Sequence, residues 1–424
     1  MALRPPRTLA PLSEEAKRRL TERAASMIEE LRRLGGATDG AVTRLVYTPE
    51  WLAAMEQVER WFDDFGLSRR VDAVGSRFGR LAGVDSDVVL TGSHIDSVRH
   101  GGAYDGALGI IMATLALGWL GEECGRPRRS IEVLANCEEE SSRFPDNFWG
   151  ARAMMGLIRP EEPDELRDAD GVSIGDAMRA CGLDPSTIQE ARRSDIIAFI
   201  EAHIEQGTRL ESSNNVVGVV ERVVGVRQMG VRLVGSSGHA GTIPMDHRRD
   251  AMVAAAEVIL NVKQTAVRIG DGAVATVGGI HALPGGTNQI AEEVRLTVDF
   301  RHSDNTVLDL MERELRVGGR NASDRYSVSI SDEVWLSQRP IDFDVTVRDV
   351  IEQACEATNC AWMRLESGAG HDAQVIAQKF PSGMLFVPSK GGHSHRPDEE
   401  TTIEDITAGT EVLIRALHHL AYVR

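Results

Sequence analysis

Several features are scarce in this chain, and each scarcity removes a class of protein. There are five cysteines in 424 residues, Cys124, Cys137, Cys181, Cys355 and Cys360, scattered and without a Cys-x-x-Cys pair. That excludes a disulfide scaffold and a zinc ribbon, and leaves the cysteines as small core residues of a protein in a reducing compartment. Positive charge is in deficit: 47 Lys and Arg against 64 Asp and Glu give a net charge of −17. With no basic face to displace counterions from phosphates, nucleic acid is not an expected partner. An anionic small molecule would need a local basic patch set against this field. The longest apolar stretch, Leu108 to Leu120, is too short to span a bilayer and contains Gly109 and Gly118, so no membrane partner is expected either. Met1-Ala2-Leu3-Arg4-Pro5-Pro6-Arg7 lacks the apolar centre of a signal peptide, and a cytoplasmic location is the expectation.

What is present is enough apolar sequence, 42%, to bury a sizeable core, in a length that suits two or three domains. Helical spacing covers residues 14–33, and Thr48-Pro49 opens a second helix through Phe65, with Thr48 as N-cap. Alternation over 70–74 and 78–81 reads as a hairpin, and the acidic stretch 161–195, broken by Pro and Gly, as small surface helices. From about residue 212 the character changes. Strands at Val223–Val234, Ala273–Ile280, Val294–Phe300 and Tyr326–Ile330 alternate with helices at Asp250–Val267 and Val307–Leu315. That order describes a four-stranded α+β unit inserted into an α/β fold, dividing the chain into 1–211, 212–334 and 335–424.

Outside the insert, four successive apolar runs end in residues of metal-ligand type. Val88 to Ser93 reads as a buried strand closed by His94 and Asp96, where functional groups of an open α/β sheet project. Asp105 lies in the glycine-rich turn Gly101-Gly102-Ala103-Tyr104-Asp105-Gly106. Ile131 to Ala135 runs into Asn136-Cys137-Glu138-Glu139-Glu140, Ile196 to Ile200 precedes His203, and Gly391-Gly392-His393-Ser394-His395 carries a further imidazole. Singly, each has a bland reading: a His-x-Asp after a strand is commonly polar trim, and three Glu in a row commonly open a solvated helix. Four in succession are not what a solvated surface predicts. His94, Asp105, the Glu139-Glu140 pair, His203 and His395 are the set that two divalent ions bridged by a carboxylate would need. Nitrogen and oxygen donors without thiolate suit zinc, manganese, cobalt or nickel better than calcium.

These residues carry a resemblance. Gly92-Ser93-His94-Ile95-Asp96-Ser97-Val98, the Asp105 turn, Glu139-Glu140-Ser141-Ser142-Arg143-Phe144, His203-Ile204-Glu205-Gln206-Gly207, Gly238-His239-Ala240-Gly241-Thr242-Ile243-Pro244-Met245 and Gly392-His393-Ser394-His395 occur in the order of the amidase branch of the M20 metallopeptidase clan. That group contains N-carbamoyl-L-amino acid hydrolases, allantoate amidohydrolases and β-ureidopropionases. The chain departs from it at Ser141, where the family has Gly, and the additional Glu138 leaves the acidic pair to be aligned on Ser142-Arg143-Phe144.

The resemblance implies a zinc-peptidase-like catalytic domain, with a mixed sheet flanked by helices, and an inserted lid and dimerisation domain. It implies two divalent metal ions, one held by His94, Asp105 and His203, the other by Asp105, Glu140 and His395. Asp96 would fix an imidazole and Glu139 would carry the proton. His239 would donate to the oxyanion, from its own or the partner subunit of a homodimer; its bland reading is a turn residue. Asn288 and Arg301 would bind substrate, Arg301 gripping a carboxylate, although a surface Arg paired with Asp299 or Asp304 is the plain alternative. Gln206, Gly370 and His371 would line the pocket. The activity implied is hydrolysis of the ureido C–N bond of an N-carbamoyl-L-amino acid to amino acid, ammonia and carbon dioxide, with allantoate or N-carbamoyl-β-alanine as alternative substrates. A dipeptidase ranks lower on the acidic and His203 motifs. A non-catalytic binding protein, the reading from another class, is opposed by the intact ligand set.

Overall fold

A computed structural model describes residues 9–423. Its strands, in chain order, are β1 (Ser68–Val71), β2 (Arg77–Leu81), β3 (Asp85–His94), β4 (Arg129–Asn136), β5 (Ile196–Ile204), β6 (Val217–Val223), β7 (Gly225–Val234), β8 (Gly238–His239), β9 (Val274–Leu283), β10 (Gln289–Ile290), β11 (Glu293–His302), β12 (Ser329–Gln338), β13 (Ile341–Asp342), β14 (Trp362–Ser367) and β15 (Ser382–Val387). The chain forms two compact units, Met1–Glu221 with Phe343–Arg424, and Arg222–Asp342.

The larger unit is built on a mixed sheet of order β1-β2-β4-β3-β5-β15-β6-β13, with β14 also paired to β6. The pairs β4–β3, β3–β5 and β5–β15 are parallel, whereas β1–β2, β2–β4 and β15–β6 are antiparallel. The central parallel strands are apolar on both faces because helices cover both, so their sequences read as continuous runs and do not alternate. One cover is the Ala107–Glu123 helix, buried nearly all round, whose Gly109 lets it close on the backbone of β5: a Cβ there would lie 2.2 Å from the Ala202 carbonyl oxygen. The Glu14–Arg32 helix is capped by Ser13 and the Pro49–Asp64 helix by Thr48, and each buries one stripe. Short helices at Glu162–Glu165, Ile174–Ala180 and Pro185–Ala191 occupy the acidic stretch.

The smaller unit is an antiparallel sheet, β12-β7-β11-β9, packed against the Ala251–Ile269 and Asn305–Tyr326 helices with a core of its own. Two expectations are corrected here. The insert runs from 222 to 342, not 212 to 334, because β6 first continues the large sheet, pairing Val220 with Met384. Tyr326 ends a helix and opens no strand; the last strand of the four-stranded sheet is β12. The Gly318-Gly319 pair looks like a helix stop, yet Gly318 is where the two helices touch, a Cβ there falling 2.4 Å from the Asn261 side chain. No helix among the described residues is long and apolar enough to cross a membrane.

Candidate metal centre

The carboxyl ends of β4, β3, β5 and β15 lie level, with His94 opposite Asn136 and His203 opposite Phe386. Functional groups of open α/β sheets collect at such an edge. β3 delivers His94 as its last residue and β5 delivers His203 within its last turn of register, inside the strand and not after it. Asp105 sits in the turn before the Ala107–Glu123 helix. The turn runs hard against the His94 ring: Gly106 takes φ 63°, and a Cβ on it would lie 2.4 Å from that imidazole.

Two groups of ligand atoms meet at Asp105, one of His94, Asp105 and His203, the other of Asp105, Glu140 and His395, each with its atoms within 4.8 Å of one another. The two oxygens of Asp105 face different partners. Oδ1 is 3.4 Å from His94 Nε2 and 3.1 Å from His203 Nε2, while Oδ2 is 3.4 Å from His395 Nε2. Gln206 Nε2 and the Ser394 hydroxyl both donate to Oδ2, at 2.6 and 2.8 Å. Glu140 Oε1 is buried 3.3 Å from His395 Nε2, without the geometry of a hydrogen bond.

The far ring nitrogens fix the tautomers. His94 Nδ1 faces the Asp96 carbonyl at 3.1 Å and His203 Nδ1 faces the Ile204 carbonyl at 2.9 Å. A carbonyl only accepts, so both Nδ1 atoms carry hydrogen and both Nε2 lone pairs aim at Asp105. The Gly106 amide donating to His203 Nε2 at 3.1 Å requires the same. Lone pairs and carboxylate oxygens converging at this spacing repel unless a proton or a cation stands among them, so the residues present fit a pair of cations.

The titration pattern agrees. Burial opposes protonation of His94 and His203, yet Asp105, with Asp96 at His94, holds both imidazoles above the usual value. Burial would raise Asp105, but His203, His395 and His94 hold it well below the carboxylate range. His395, half exposed, is pushed up to about 10 by Asp105 and Glu140. These are the protons that a bound metal ion would displace.

Buried carboxylates hold the ligand loops through backbone amides. Asp96 accepts from Glu139 N at 3.1 Å and Glu140 N at 3.1 Å. Glu399 accepts from Tyr104 N and Asp105 N at 2.8 and 2.9 Å, and a Cβ on Gly102 would lie 2.3 Å from its carboxyl group. Glu201 takes the Ser93 hydroxyl at 2.7 Å and Ala373 N at 2.8 Å. The three glutamates therefore do not open a solvated helix: Glu138 and Glu139 are buried in a loop. Glu139 and Glu140 group with His94, whereas Glu138 joins no ligand group among the described residues. Burial first, and the surrounding carboxylates after it, push Glu138 well above the usual range; burial does the same to Glu139, against the pull of His94.

His371 is beside the cluster, its ring 4.6 Å from that of His203 and its Nε2 2.9 Å from the Ser367 hydroxyl, with burial and His203 holding it neutral. Gly370 packs on Phe148, 2.9 Å from where its Cβ would stand. His239, Asn288 and Arg301 belong to the smaller unit. His239 is exposed and neighbours Asn288 through the Ala240 amide on the Asn288 carbonyl, 2.9 Å. Arg301 donates to the Asp299 carboxylate from Nε and Nη2, at 2.9 and 3.3 Å, which is the plain pairing set out above.

Sequence reasoning overlooked Glu399, Ser394 and Glu201. Ser394 stands between two histidines and Glu201 two residues before His203, and those adjacencies were the available signal. Nothing near Glu399 marks it out from the acidic run Asp398-Glu399-Glu400, because its partners are backbone amides.

Residues 81–419 match the profile of Peptidase family M20/M25/M40. The chain is 40% identical over 390 residues to the allantoate amidohydrolase of Escherichia coli K12, covering 92% of this chain and 95% of that one. It is also 40% identical over 403 residues to the N-carbamoyl-L-amino-acid amidohydrolase of Paenarthrobacter aurescens, covering 94% and 98%. Among solved structures, a hydantoinase/carbamoylase family amidase from Burkholderia multivorans superposes with a TM-score of 0.86 at 32% identity, over 94% of this chain and 97% of that one.

Proposed function

The chain belongs to Peptidase family M20/M25/M40, and from that premise we propose a binuclear-metal hydrolase of the ureido C–N bond in a carboxylate-bearing substrate, N-carbamoyl-L-amino acids being preferred. The observation that carries this reading is the pair of ligand groups meeting at Asp105. His94, Asp105 and His203 would hold one ion and Asp105, Glu140 and His395 the other, as zinc or manganese, with cobalt or nickel suited to the same donors. When bound, the ions lower the pKa of water and polarise a carbonyl.

The chain's own residues do the rest. Glu139, oriented by its amide on Asp96, accepts the proton of the attacking water and delivers it to the departing nitrogen. Asp96 at the same time fixes the His94 ring. Gln206 holds Asp105, and His371 and the Gly370 backbone line the pocket. His239 donates to the developing oxyanion, Asn288 binds substrate, and Arg301 grips the carboxylate through two parallel hydrogen bonds.

The active form is a homodimer through the smaller unit. Within that unit Arg301 lies eight residues along β11 from Glu293, about 27 Å at the rise of an extended strand, and Asn288 and His239 lie beyond the Glu293 end. One copy therefore cannot bring both ends to one ureido acid, and a second copy would have to supply one of them. β9 ends the sheet with an unpaired edge, on which Val274, Ile280 and Leu283 are exposed. Beside it the Ala251–Ile269 helix exposes Val253, Leu260 and Val267 at seven-residue spacing, one apolar stripe. Five free cysteines suit a cytoplasmic location.

Allantoate is the second reading, since relatives of both names reach 40% identity over more than nine-tenths of the chain. The test is ammonia release by metal-reconstituted protein from N-carbamoyl-L-amino acids, allantoate and N-carbamoyl-β-alanine, each with a chelated control. Chelator-sensitive release from one supports the reading and names the substrate. Release from none, or release that survives thorough chelation, overturns it.

A further inference from the structure

The Val345–Thr358 helix ends in Cys355-Glu356-Ala357-Thr358-Asn359-Cys360, and the fold closes this short segment on itself. Asn359 takes the left-handed conformation, φ 55°, and turns the chain back over the last helical turn. Cys360 Sγ then lies 3.7 Å from the Cys355 carbonyl oxygen, to which the Thr358 hydroxyl also donates at 2.8 Å. The turn thus seats the Cys360 thiol on the Cys355 end of the helix, Cys355 in the core and Cys360 half-buried at its edge. Read as sequence, these were two scattered core cysteines; folded, they are a vicinal pair, well away in sequence from every proposed ligand.

We propose that Cys355 and Cys360 form a reversible disulfide site, with Cys360 as the attacking thiol, Cys355 as the resolving thiol and a small-molecule disulfide such as oxidised glutathione as the oxidant. The asymmetry of the pair sets these roles. Interaction with Cys355 pushes the Cys360 thiol below its usual value against the effect of burial, and the same interaction together with burial raises Cys355. Cys124, Cys137 and Cys181 are all raised by burial, so Cys360 is the thiol set apart as nucleophile. In the first step the Cys360 thiolate attacks one sulfur of oxidised glutathione, the glutathione S–S bond breaks, and one glutathione thiolate leaves. Cys355 then gives its proton to solvent and its sulfur attacks Cys360 Sγ, expelling the second glutathione as thiolate. Two cysteines are oxidised to one disulfide, and one glutathione disulfide is reduced to two thiol equivalents.

The experiment needs only the full-length protein. No Lys or Arg lies between Arg348 and Arg364, so trypsin releases both cysteines, and no other, in the single peptide Asp349–Arg364. After reduced protein is exposed to oxidised glutathione, alkylated and digested, that peptide is expected unalkylated and two hydrogens lighter than its dithiol form, with the change reversed by reductant. Cys355→Ser is expected to stall with one glutathione on the peptide, and Cys360→Ser to yield neither bridge nor adduct. A wild-type peptide that emerges fully alkylated while Cys124 or Cys181 is modified, or that stays as a mixed disulfide, overturns the proposal. The wild-type masses decide the matter even if neither serine variant folds.

Discussion

Asp96→Asn tests whether the acidic loop is held in place by one buried carboxylate. Asp96 is 1% exposed and its carboxylate accepts from two donors, Glu139 N–H and Glu140 N–H, with Oδ1 also 3.3 Å from His94 Nδ1, whose hydrogen goes to the Asp96 carbonyl. Asparagine has the same shape but one acceptor oxygen, and its NH2 group must face one of those donors. One charge-assisted hydrogen bond is lost and another weakens to a neutral one, together about 3 kcal/mol, or roughly a hundredfold in an equilibrium or rate constant. Removing an outer partner of a metal ligand typically costs about 10–100-fold in metal affinity or activity, in line with that figure. Metal content after dialysis against graded chelator, kcat/KM after reconstitution, and thermal unfolding together separate the effects. The expected result is a folded protein that binds metal about tenfold or more weakly and works about 100-fold more slowly when loaded. Activity within threefold of wild type with unchanged metal affinity would refute the argument that backbone amides on Asp96 set the geometry of Glu139 and Glu140.

Three further outcomes are expected. Arg301→Lys should raise KM by about 10–100-fold with kcat little changed, because a point charge replaces a planar fork; steady-state kinetics with an unaltered KM would remove Arg301 from substrate binding. Leu260→Glu places a charge in the middle of the exposed apolar stripe and should shift sedimentation from dimer to monomer with a parallel loss of kcat; a persistent dimer would move the interface elsewhere. Asp72→Asn should stabilise the protein at alkaline pH. Burial raises the Asp72 carboxyl from 3.8 to about 6, so the folded state binds this proton more tightly than the unfolded chain. The cost of ionising it is absent below the unfolded value and fully present above the folded one, at about 3 kcal/mol as an upper bound. Asparagine keeps an oxygen for the Val74 and Ser76 amides, so the gain in melting temperature should be present near pH 8 and gone by about pH 4. A gain that does not depend on pH would sink this account.

The candidate ligands that the structure brings together were legible in the sequence for a physical reason. Strands buried on both faces leave continuous apolar runs, and the polar residues that end them at a parallel edge stand out against that background. His94, Glu139, Glu140 and His203 could all be read in this way. The supports were not legible, because Glu399 and Glu201 bond to backbone amides and a distant hydroxyl, which leave no mark on the spacing of residue types. The boundaries at 222 and 342 escaped for a related reason. β6 runs into the next strand with only Val224 between them, and its pairings with β15 and β14 assign it to the large sheet. The Cys355 and Cys360 pairing depends on one left-handed residue, Asn359, that sequence spacing does not reveal.

The arrangement also separates chemistry from choice of substrate. The candidate ligands are carried by the ends of adjacent parallel strands and by loops whose backbone amides are bonded to buried carboxylates, so their positions follow from the sheet and not from anything a substrate contributes. Metal ions held there would polarise a carbonyl and activate a water, and a ureido carbonyl is common to N-carbamoyl amino acids and allantoate. Two relatives of equal identity, named for these different substrates, are what such a division would produce. Under the proposed function, discrimination between ureido acids would fall to residues that meet the remainder of the molecule, and the candidates His239, Asn288 and Arg301 are carried by a unit with its own core and its own sheet. None of the ligand-type residues grouped around Asp105 lies in that unit, so under the proposed function its side chains can differ between relatives while those residues stay the same.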